Sequence, residues 1–301
     1  MKLLVTGANG QLGWHLSRSL LPLGEVIALD RAQYDLTRPE LLPALIRSIN
    51  PDVIVNAAGY TAVDKAEDQE ALATAVNGTA VGILAEAARS AGALLVHYST
   101  DYVFDGGKDA PYAEDDAPHP INAYGRSKLA GEIVVQQVAG DYIILRTSWV
   151  YAARGNNFVR TILRLAGERD SIPIVADQQG APTWARHIAD ATAGIVRQAS
   201  GERSASRFSS GVFHLAAAGA TTWLGFAEAI LEIAAREALL PAERRPQLIP
   251  ITTEAYGRPA ARPKNSCFSV DRIKRRFGIA LPDWQQGLAQ CLNEIKSQKQ
   301  D

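Results

Sequence analysis

A tyrosine and a lysine placed one helical turn apart are the first residues of this chain that could do chemistry. Tyr124 and Lys128 stand four residues apart in the segment YGRSK, which leads into the helical run LAGE. Residues at this spacing share a face of a helix, so the phenol and the ammonium can point into one cleft. A free phenol titrates near pH ~10, but a neighbouring cation favours the phenolate and brings the pKa towards neutrality. The pair is therefore a candidate acid or base, although the same spacing also occurs by chance on solvated helix faces.

Hydroxyl side chains stand where an apolar stretch ends. Ser99 and Thr100 follow the run LLVHY, and Asp101 comes directly after them. The carboxyl ends of the strands carry the chemistry in a doubly wound sheet, so either hydroxyl could bind a carbonyl oxygen and stabilise charge on it. The same residues could equally do no more than end a strand. Residues 56–59 (NAAG) end another apolar run with small side chains, which leaves room for a cofactor.

Three glycines separate the first apolar run from the first helical pattern. Gly7, Gly10 and Gly13 occupy the segment GANGQLG. Glycine provides a tight turn, close approach of backbone to a pyrophosphate and close helix packing, and the helix amino terminus offers free N–H groups to phosphates. Asp30 follows at about the expected ~20 residues and could bind an adenosine ribose, which favours NAD. Its neighbour Arg31 could instead meet the 2′-phosphate of NADP, so the sequence predicts NADPH or NADH without choosing.

Short apolar runs alternate with helical patterns along the first half of the chain. The strand candidates are continuously apolar, as in parallel strands covered on both faces: residues 3–6, 26–29, 53–56, 94–98 and 142–146. Between the first two, Leu12, Leu16 and Leu20 recur every four residues, which places one apolar stripe against a sheet. Residues 72–88, rich in Ala, Leu and Glu, predict a further helix. Strand alternating with helix predicts an α/β fold with a doubly wound parallel sheet of the Rossmann type.

The alternation loosens after about Trp149, and this marks the expected domain boundary. Of the 301 residues, we expect 1–150 to form a dinucleotide-binding domain and 151–301 to form mostly a substrate-binding region. The two are expected to interleave, with parts of 172–216 completing the first domain. The remaining expectations are an exposed loop over 200–211, a helix over 223–239 and an irregular segment, rich in Pro and Arg, over 241–263.

The charge balance excludes a protein devoted to nucleic acid. The chain has 31 Lys and Arg against 32 Asp and Glu, a formal net charge of -1, whereas a binder of phosphate backbones usually carries a basic excess. Cys267 and Cys291 are too few for a disulfide framework or a metal cage, and His119, His187 and His214 lack metal-ligand spacing. Because neither a signal peptide nor a membrane span is evident, the sequence predicts a cytoplasmic protein that binds neither membrane nor nucleic acid.

Several of these motifs together resemble the extended short-chain dehydrogenase/reductase family. The glycine turn GANGQLG, the strand end NAAG, the strand end with two hydroxyls and YGRSK occur in that order. Further segments narrow the resemblance to members that reduce a dTDP-linked 4-keto sugar: HYSTDYVFDG, PINAYGRSKLAGE, ILRTSWVY, GNNFV, DQQGAPTW and RPKNS. The resemblance covers nearly the whole chain. It implies reduction of the C4 ketone of dTDP-4-dehydro-L-rhamnose to dTDP-L-rhamnose by NADPH or NADH.

The resemblance also implies roles for individual residues. Tyr124 would give the proton, Lys128 would lower the tyrosine pKa and hold the cofactor, and Thr100 would polarise the ketone. Asp101 and Trp149 would contact the sugar, although a tryptophan after a strand could also belong to the core. The implied cofactor-binding residues are Gly7, Gly10, Gln11, Leu12, Gly13, Asp30, Asp35, Leu36, Gly59, Tyr60, Thr61, Tyr98, Tyr124 and Lys128.

Two other functions stay open on the sequence. A nucleotide-sugar epimerase or dehydratase uses a tyrosine, a lysine and a hydroxyl in the same way but regenerates its cofactor. A catalytically silent regulatory subunit is the second alternative, and the intact Thr100, Tyr124 and Lys128 argue against it. The resemblance also admits a homodimer with Mg²⁺ at a subunit contact. His15 stands where the family commonly has an acidic residue, so no metal ligands are predicted from this sequence.

Overall fold

The computed structural model describes residues 1–138, 140–241 and 244–298. Its strands are, in chain order, β1 (Lys2–Thr6), β2 (Glu25–Leu29), β3 (Val53–Asn56), β4 (Leu94–Thr100), β5 (Tyr142–Thr147), β6 (Val150–Tyr151), β7 (Ser171–Val175), β8 (Gln179–Gly180), β9 (Thr183–Trp184), β10 (Gly211–His214), β11 (Thr221–Thr222) and β12 (Gln247–Ile251).

The α-helices follow the strands in alternation through the first half of the chain. They are α1 (Gln11–Ser19), α2 (Leu42–Ile49), α3 (Val63–Asp68), α4 (Glu70–Thr74), α5 (Ala80–Ser90), α6 (Ala123–Val138), α7 (Phe158–Glu168), α8 (Ala185–Ser204), α9 (Trp223–Arg236), α10 (Thr253–Tyr256), α11 (Asp271–Phe277) and α12 (Trp284–Ser297). Turns of 3₁₀-helix cover Leu21–Leu23, Pro39–Leu41 and Asp101–Val103, and a π-helical turn covers Ala75–Thr79.

Six strands form one parallel sheet in the order β2-β1-β3-β4-β5-β10. The strand order reverses between β1 and β3, and doubly wound sheets bind their ligands at the carboxyl ends of the strands beside such a switch point. The five predicted strands are present, and β4 continues two residues beyond the predicted end, to Thr100. The predicted doubly wound α/β fold is therefore confirmed, with β10 added at the edge.

Alternate residues of each central strand enter two different cores, which is why these strands have no polar face. Leu3 and Val5 pack with α1 and α8 on one side of the sheet, whereas Leu4 packs with α2 and α5 on the other. The predicted stripe of α1 is confirmed, because Leu16 and Leu20 are fully buried against the sheet. Burial on both faces leaves the strand ends as the place where polar groups can meet a ligand.

A second core lies away from the sheet and belongs to the second half of the chain. Its buried residues include Tyr151, Trp184, Phe226, Trp284 and Leu288, contributed by β6, β9, α9 and α12. By contrast, α8, β10 and α11 pack their apolar side chains into the core beside the sheet. The second half of the chain therefore contributes to both cores, and a division near residue 150 stays a prediction.

The loop predicted over 200–211 is wrong in its first part, because α8 continues to Ser204. Arg203 binds the last turn of this helix to the residues that precede β4 and β5. Its guanidinium donates to the Asp141 carboxylate (2.8 Å) and to the Gly92 carbonyl oxygen (2.6 Å). These partners are far apart in sequence, so the polar composition of the segment does not reveal them.

The segment predicted as irregular over 241–263 is partly regular, which corrects the prediction. Strand β12 lies in it and pairs in parallel with β7, and the short helix α10 follows. Residues 242 and 243 of this segment lie outside the described residues. The helix predicted over 223–239 is present but ends at Arg236. Strand β12 carries Pro250 and is only partly buried, so it shows neither the alternation nor the apolar run expected of a strand.

One apolar stretch of the described chain is long enough to cross a membrane by length and composition alone. It spans Glu70–Ser90 and consists of α4, the π turn and α5. The core helix of a globular protein passes the same test, and 61% of the apolar window is buried here. Its helices pack against α2 and α6, so the apolar side chains already have a protein partner.

Helix α6 approaches two neighbouring backbones more closely than a side chain would permit. A Cβ on Gly131 would lie 2.1 Å from the Asn77 carbonyl oxygen of the π turn. A Cβ on Gly125 would lie 2.1 Å from the Tyr102 carbonyl oxygen, just after β4. Glycine at both positions therefore lets α6 lie close to the strand end where the polar residues gather.

We expect Gly131→Ala to lower the stability of the protein, although alanine is the better helix former. The added methyl group forces α6 away from the π turn, and such overpacking costs about 1–3 kcal/mol. Gly167→Ala in α7 is the matched control, because nothing lies within 4 Å of its Cβ. Thermal and urea unfolding followed by circular dichroism measure both. Equal midpoints for the two variants would contradict the close approach.

Candidate active site

The glycine turn joins β1 to α1 and brings the helix amino terminus to the switch point of the sheet. Gly7 has a φ of 71°, which favours glycine, and a Cβ on Gly13 would lie 2.0 Å from the Gly7 carbonyl oxygen. Gly10 precedes the helix in an extended conformation, and having no side chain it leaves the first N–H groups uncovered. The side chain of Gln11 accepts a hydrogen bond from Asn157 Nδ2 (2.9 Å), the residue directly before α7. The helix amino terminus, with its partial positive charge, is thus a suitable cradle for a pyrophosphate.

Asp30 stands directly after β2, at the same edge of the sheet. Its carboxylate accepts hydrogen bonds from Asn9 Nδ2 and from the Ala32 N–H, both at 2.9 Å. Asp35, also predicted near the cofactor, accepts from the backbone and hydroxyl of Thr37, and these bonds lower the pKa of its carboxyl. The side chain of Leu36 is buried in the core beneath this loop. Of the three residues predicted near the adenosine, Asp30 is the one that bonds to the glycine turn, through Asn9.

The loop after β3 carries Gly59, Tyr60 and Thr61, and one buried amide holds it. Asn77 Oδ1 accepts the Tyr60 N–H (2.8 Å), while its Nδ2 donates to the Tyr60 carbonyl oxygen (2.9 Å) and to Ser127 Oγ of α6 (3.0 Å). Asn77 lies on the π turn and is fully buried. Sequence reasoning missed it, although a single amide within the apolar run AVNGTAV is a detectable signal.

Thr100 and Asp101 form a hydrogen-bonded pair at the end of β4. Thr100 Oγ1 donates to Asp101 Oδ1 (3.0 Å) and accepts the Tyr102 N–H (3.2 Å). Burial raises the pKa of Asp101 to about 6, and the hydroxyls of Ser266 and Thr100 oppose this rise. Asp101 Oδ2 and Ser99 Oγ are buried and have no hydrogen-bond partner among the described residues. Unpartnered buried oxygens are costly, so their presence here fits a ligand that supplies the missing partners.

Tyr124 lies half-buried in the first turn of α6, with its ring edge-on to that of Tyr102 at 5.5 Å. Burial raises the pKa of Tyr124 to about 12, the charge of Asp101 adds to this, and the Thr100 hydroxyl opposes it. The Tyr124 pKa is therefore raised in the protein without ligand, and the lowering effect predicted for Lys128 stays a prediction. Desolvation disfavours the phenolate, so the phenol keeps its proton at neutral pH.

Lys128 is 6% exposed and lies under the end of β4. Its Nζ donates to the Tyr98 carbonyl oxygen (2.6 Å) and lies 3.4 Å from His97 Nε2. Burial lowers the pKa of Lys128 to about 8, while the charge of Glu132 acts in the opposite direction. The hydroxyl of Tyr98 bonds to Thr192 of α8 (2.7 Å), so the main chain of Tyr98, rather than its phenol, reaches Lys128.

Trp149 lies between β5 and β6 in a left-handed conformation, with a φ of 48°. Its ring stacks on that of Trp223 with centroids 3.6 Å apart and planes 7° apart. A Cβ on Gly180 would lie 2.5 Å from the Trp149 ring, so glycine is needed behind it. Trp149 is half-buried, which disfavours its interpretation as a core residue. Trp223, the first residue of α9, is a partner that sequence reasoning missed.

Residues 260–267, which we call the strap, contact helix α3, the start of α6 and the turn after β4. Arg262 pairs with Asp64 of α3 (2.9 Å), and Asn122, just before α6, donates to the Ala261 carbonyl oxygen (2.7 Å). Ser266 of the strap is buried, and its hydroxyl acts on Asp101. The motif RPKNS lies in this strap, and its residues Arg262 and Ser266 contact the part of the structure that carries the strand-end motifs.

The surroundings of His15 do not fit Mg²⁺. Burial lowers the pKa of His15 to about 4, and the charges of Arg186, Arg154 and Arg18 lower it further against the opposing Asp190. A metal ion would meet the repulsion of the same three guanidinium groups. Within the described residues, no group of three His, Cys, Asp or Glu side chains could hold a metal ion.

Most of the predicted cofactor and catalytic residues lie at the carboxyl ends of β1 to β4, whereas the side chain of Leu36 is buried in a core and the phenol of Tyr98 bonds to α8. The close backbone contacts of Gly7 and Gly13 make a cradle that any Cβ would fill, and Asp30 stands beside it. Thr100 and Tyr124 stand at the next strand end. This arrangement fits a nicotinamide dinucleotide, with its pyrophosphate on the helix amino terminus and its reactive ring towards β4.

Known proteins are similar to this chain over its whole length. A family model described as the RmlD substrate binding domain matches residues 1–297. A dTDP-4-dehydrorhamnose reductase of Burkholderia thailandensis is 54% identical over 301 residues, which cover 99% of this chain and 100% of the relative. A dTDP-4-dehydrorhamnose reductase of Escherichia coli K12 is 46% identical over 299 residues, with 98% of each chain covered.

A solved structure shares this fold over nearly the whole chain. The crystal structure of dTDP-4-dehydrorhamnose reductase from Bacillus anthracis, in complex with NADP, has a TM-score of 0.88 to this chain at 35% identity. The alignment covers 97% of this chain and 99% of the Bacillus anthracis chain. Sequence, fold and site thus lead to one conclusion. The chain belongs to the RmlD substrate binding domain family, among relatives that are dTDP-4-dehydrorhamnose reductases.

Proposed function

We infer that this chain is an oxidoreductase that uses NADPH or NADH to reduce the C4 ketone of dTDP-4-dehydro-L-rhamnose to dTDP-L-rhamnose. The observation that carries this function is the half-buried phenol of Tyr124 beside the Thr100–Asp101 pair, at the carboxyl ends of the strands that also hold the glycine turn. Full-length relatives are named for this reaction, and one was solved with NADP.

Tyr124 is the proton donor in this proposal. Because its pKa is about 12, the phenol is protonated at neutral pH and can transfer its proton to the ketone oxygen. The bound nicotinamide nucleotide supplies the hydride that C4 gains. The C=O double bond becomes a C–O single bond with one new C–H and one new O–H bond. Tyr124 is left as phenolate and regains its proton from solvent.

Lys128 and Thr100 support this transfer in different ways. The Lys128 ammonium, one turn along α6 from Tyr124, stabilises the phenolate that forms and holds the cofactor ribose. The Thr100 hydroxyl now donates to Asp101, so it must turn towards the ketone oxygen to polarise it. Removing such a hydrogen-bond donor from a developing oxyanion typically costs ~10²–10³ in rate.

The rest of the predicted site divides into a cofactor part and a sugar part. For the cofactor, we propose that the N–H groups at Gln11 and Leu12 meet the pyrophosphate, that Asp30 meets the adenosine ribose, and that the loop of Gly59, Tyr60 and Thr61 lies along the nicotinamide side. The free Oδ2 of Asp101 would accept a sugar hydroxyl, and Trp149 would cover the sugar. The remaining proposed cofactor contacts are Gly7, Gly10, Gly13, Asp35, Leu36 and Tyr98.

Cellular location and assembly are proposals of the same kind. We propose a cytoplasmic enzyme, because a soluble nucleotide sugar and a nicotinamide nucleotide are its partners. A homodimer is proposed from the family resemblance alone. The silent regulatory subunit is disfavoured because Thr100, Tyr124 and Lys128 converge at one strand end rather than lying scattered.

We expect Tyr124→Phe to remove most turnover and leave cofactor binding unchanged. A lost general acid costs ~10²–10⁴ in rate, and the ring itself remains to fill the cleft. Purified protein and the dTDP-keto sugar are assayed with NADPH and NADH in parallel, and cofactor affinity is measured by fluorescence. Tyr142→Phe, at the start of β5, is the control that removes a phenol hydroxyl elsewhere.

Loss of nicotinamide absorbance in proportion to product identifies a reductase, whereas an epimerase or dehydratase would regenerate its cofactor. Full turnover by Tyr124→Phe would refute the catalytic role of the phenol. Loss of cofactor binding in that variant would show a structural effect instead.

We expect Asp101→Asn to raise the KM for the keto sugar about tenfold to a hundredfold, because it weakens a hydrogen bond to a charged acceptor. Cofactor affinity should not change. In the wild type, the carboxylate is lost as pH falls through about 6, so the KM should rise on acidification. The variant should lose this pH dependence. Asp109→Asn removes an exposed carboxylate of a nearby loop and serves as the control.

We expect chelation to leave activity unchanged, because the positive surroundings of His15 disfavour a bound cation. Initial rates before and after treatment with EDTA, and again after adding Mg²⁺, measure this. A loss of rate that only Mg²⁺ restores would show that a metal site exists in spite of the three neighbouring arginines.

A further inference from the structure

The segment 177–184, with the sequence DQQGAPTW, takes part in none of the reaction steps described above. It contains the short strands β8 and β9, and its Gln178 is only 4% exposed. Glutamine side chains mostly lie in solvent, so a buried one needs hydrogen-bond partners that the fold supplies. The contacts of this segment lead to two residues that are proposed to hold the sugar, Trp149 and Asp101.

Trp149 leaves the sheet close to Thr100. Thr147, two residues before Trp149, is the register partner of Thr100 where β4 and β5 end. The Trp149 carbonyl oxygen accepts the Thr183 N–H (3.2 Å), and Gly180 packs against the ring, because a Cβ there would lie 2.5 Å from it. The segment therefore fixes Trp149 at the strand end where the ketone would be reduced.

The backbone of Trp149 is strained. Its φ of 48° is left-handed, a region that residues with a Cβ rarely adopt. Strain of this kind persists only where the surroundings hold it, and it gathers at binding and catalytic sites. Here the ring of Trp149 lies parallel to that of Trp223, with 3.6 Å between centroids and 7° between planes. The contact between the two indoles thus helps to hold the strained backbone and the ring in one orientation.

Gln178 holds Trp223 in place. Its Oε1 accepts the indole N–H of Trp223 (3.0 Å), and its Nε2 donates to Thr253 Oγ1 of α10 (3.0 Å). The Thr253 hydroxyl donates in turn to Asp177 Oδ1 (2.6 Å). An indole nitrogen can only donate, so the amide oxygen must face it, and each hydrogen bond then joins one donor to one acceptor. The orientation of Trp223 is therefore set by the same segment that packs against Trp149.

The segment also holds the strap, through its backbone. The Gln179 N–H donates to the Lys264 carbonyl oxygen (2.7 Å), and the Gln179 carbonyl oxygen accepts the Ser266 N–H (2.8 Å). Ser266 is the strap residue whose hydroxyl acts on Asp101. The segment thus supports both groups that are proposed to contact the sugar, Asp101 through the strap and Trp149 through its ring.

We propose that Gln178 and Trp223 are positioning residues, which hold the Trp149 ring in the orientation that covers the sugar of the nucleotide-linked substrate. Binding is weakened by each side chain that must be ordered when the ligand arrives. A ring that is already held avoids this cost, so the two residues set the affinity for the nucleotide sugar and not the rate of reduction. The inference rests on the proposed function, because it deepens the role given there to Trp149.

The first test detects the stack in the free protein. Two indole rings in parallel contact couple their electronic transitions and give a paired positive and negative band in far-UV circular dichroism. Trp149→Phe and Trp223→Phe should each remove the same pair of bands, and the double variant should remove nothing more. Gln178→Leu should weaken the bands, because the indole N–H loses its acceptor. Bands that persist in Trp223→Phe would contradict the stack, and with it the proposal.

The second test is kinetic and uses the NADPH assay with the dTDP-keto sugar. Trp223→Leu and Gln178→Leu should raise the KM for the sugar about threefold to tenfold, the cost of ordering one large side chain on binding. The kcat and the Kd for NADPH should stay within about twofold of the wild type, because ground-state and transition-state binding of the sugar weaken alike. Trp223→Phe keeps a flat ring beside Trp149 and should restore most of the affinity. An unchanged KM in both leucine variants would overturn the proposal.

The control is Ile230→Ala in α9, about two turns after Trp223. Ile230 is fully buried in the second core, so the variant should lower thermal stability as Trp223→Leu does. Its KM for the sugar should not change. An equal rise of the KM in Ile230→Ala would mean that any loss of packing in this core weakens sugar binding, which removes the specific role of Trp223.

A measurement without turnover separates this inference from the proposed function. Binding of the product, dTDP-L-rhamnose, is followed by isothermal titration calorimetry with NADP⁺ present. A wild type that binds the product but reduces no keto sugar refutes the reductase function, while weaker binding by Trp223→Leu, restored in Trp223→Phe, still supports the inference. Equal affinities in all variants refute the inference and leave the reductase function standing.

A wild type that binds no dTDP sugar at all refutes both the proposed substrate and the positioning role. Should Trp223→Leu not fold, Gln178→Leu takes its place in each comparison, because it leaves both indole rings in the protein.

Discussion

The burial of the Lys128 ammonium under the end of β4 is the constraint on which the site depends. A buried charge is costly unless it is compensated. Here the compensation comes from two elements: the Tyr98 carbonyl of β4 accepts a hydrogen bond from the ammonium, and the Glu132 carboxylate of α6 supplies an opposite charge. Helix α6 can bring the ammonium to that place because Gly125 and Gly131 let it touch neighbouring backbones.

The same burial separates the roles of the two residues in the YGRSK motif. Desolvation favours the neutral form of each group, so it raises the pKa of Tyr124 and lowers that of Lys128. A tyrosine that holds its proton is suited to donate it to a ketone. A lysine with a pKa of about 8 still carries its charge at neutral pH, where that charge can stabilise the phenolate that follows.

Residues from the second half of the chain help to position the groups of the site. The strap reaches across to α3 through Arg262 and Asp64, and it brings Ser266 to Asp101. From the other side, Asn157 binds Gln11 at the helix amino terminus of the glycine turn. The sugar and the dinucleotide would therefore be held by residues whose positions depend on each other.

Local spacing was enough to predict the glycine turn, the strands β1 to β5 and the Tyr124–Lys128 pair. Each of these depends on neighbours in the sequence: the periodicity of a helix, an apolar run long enough to cross a sheet, or glycines where backbones must approach. Strand β12 escaped prediction because it pairs with β7, more than 70 residues earlier, and its own residues are neither alternating nor apolar throughout.

Tertiary structure alone decided which groups share the site and in which protonation state. The direction of the Tyr124 pKa shift, the partners of Lys128 and the places of His97, Asn77 and Ser266 all arise from contacts between distant segments. A sequence specifies which side chains carry titratable groups. Desolvation and hydrogen bonding, which set the pKa of each, exist only once the chain has folded.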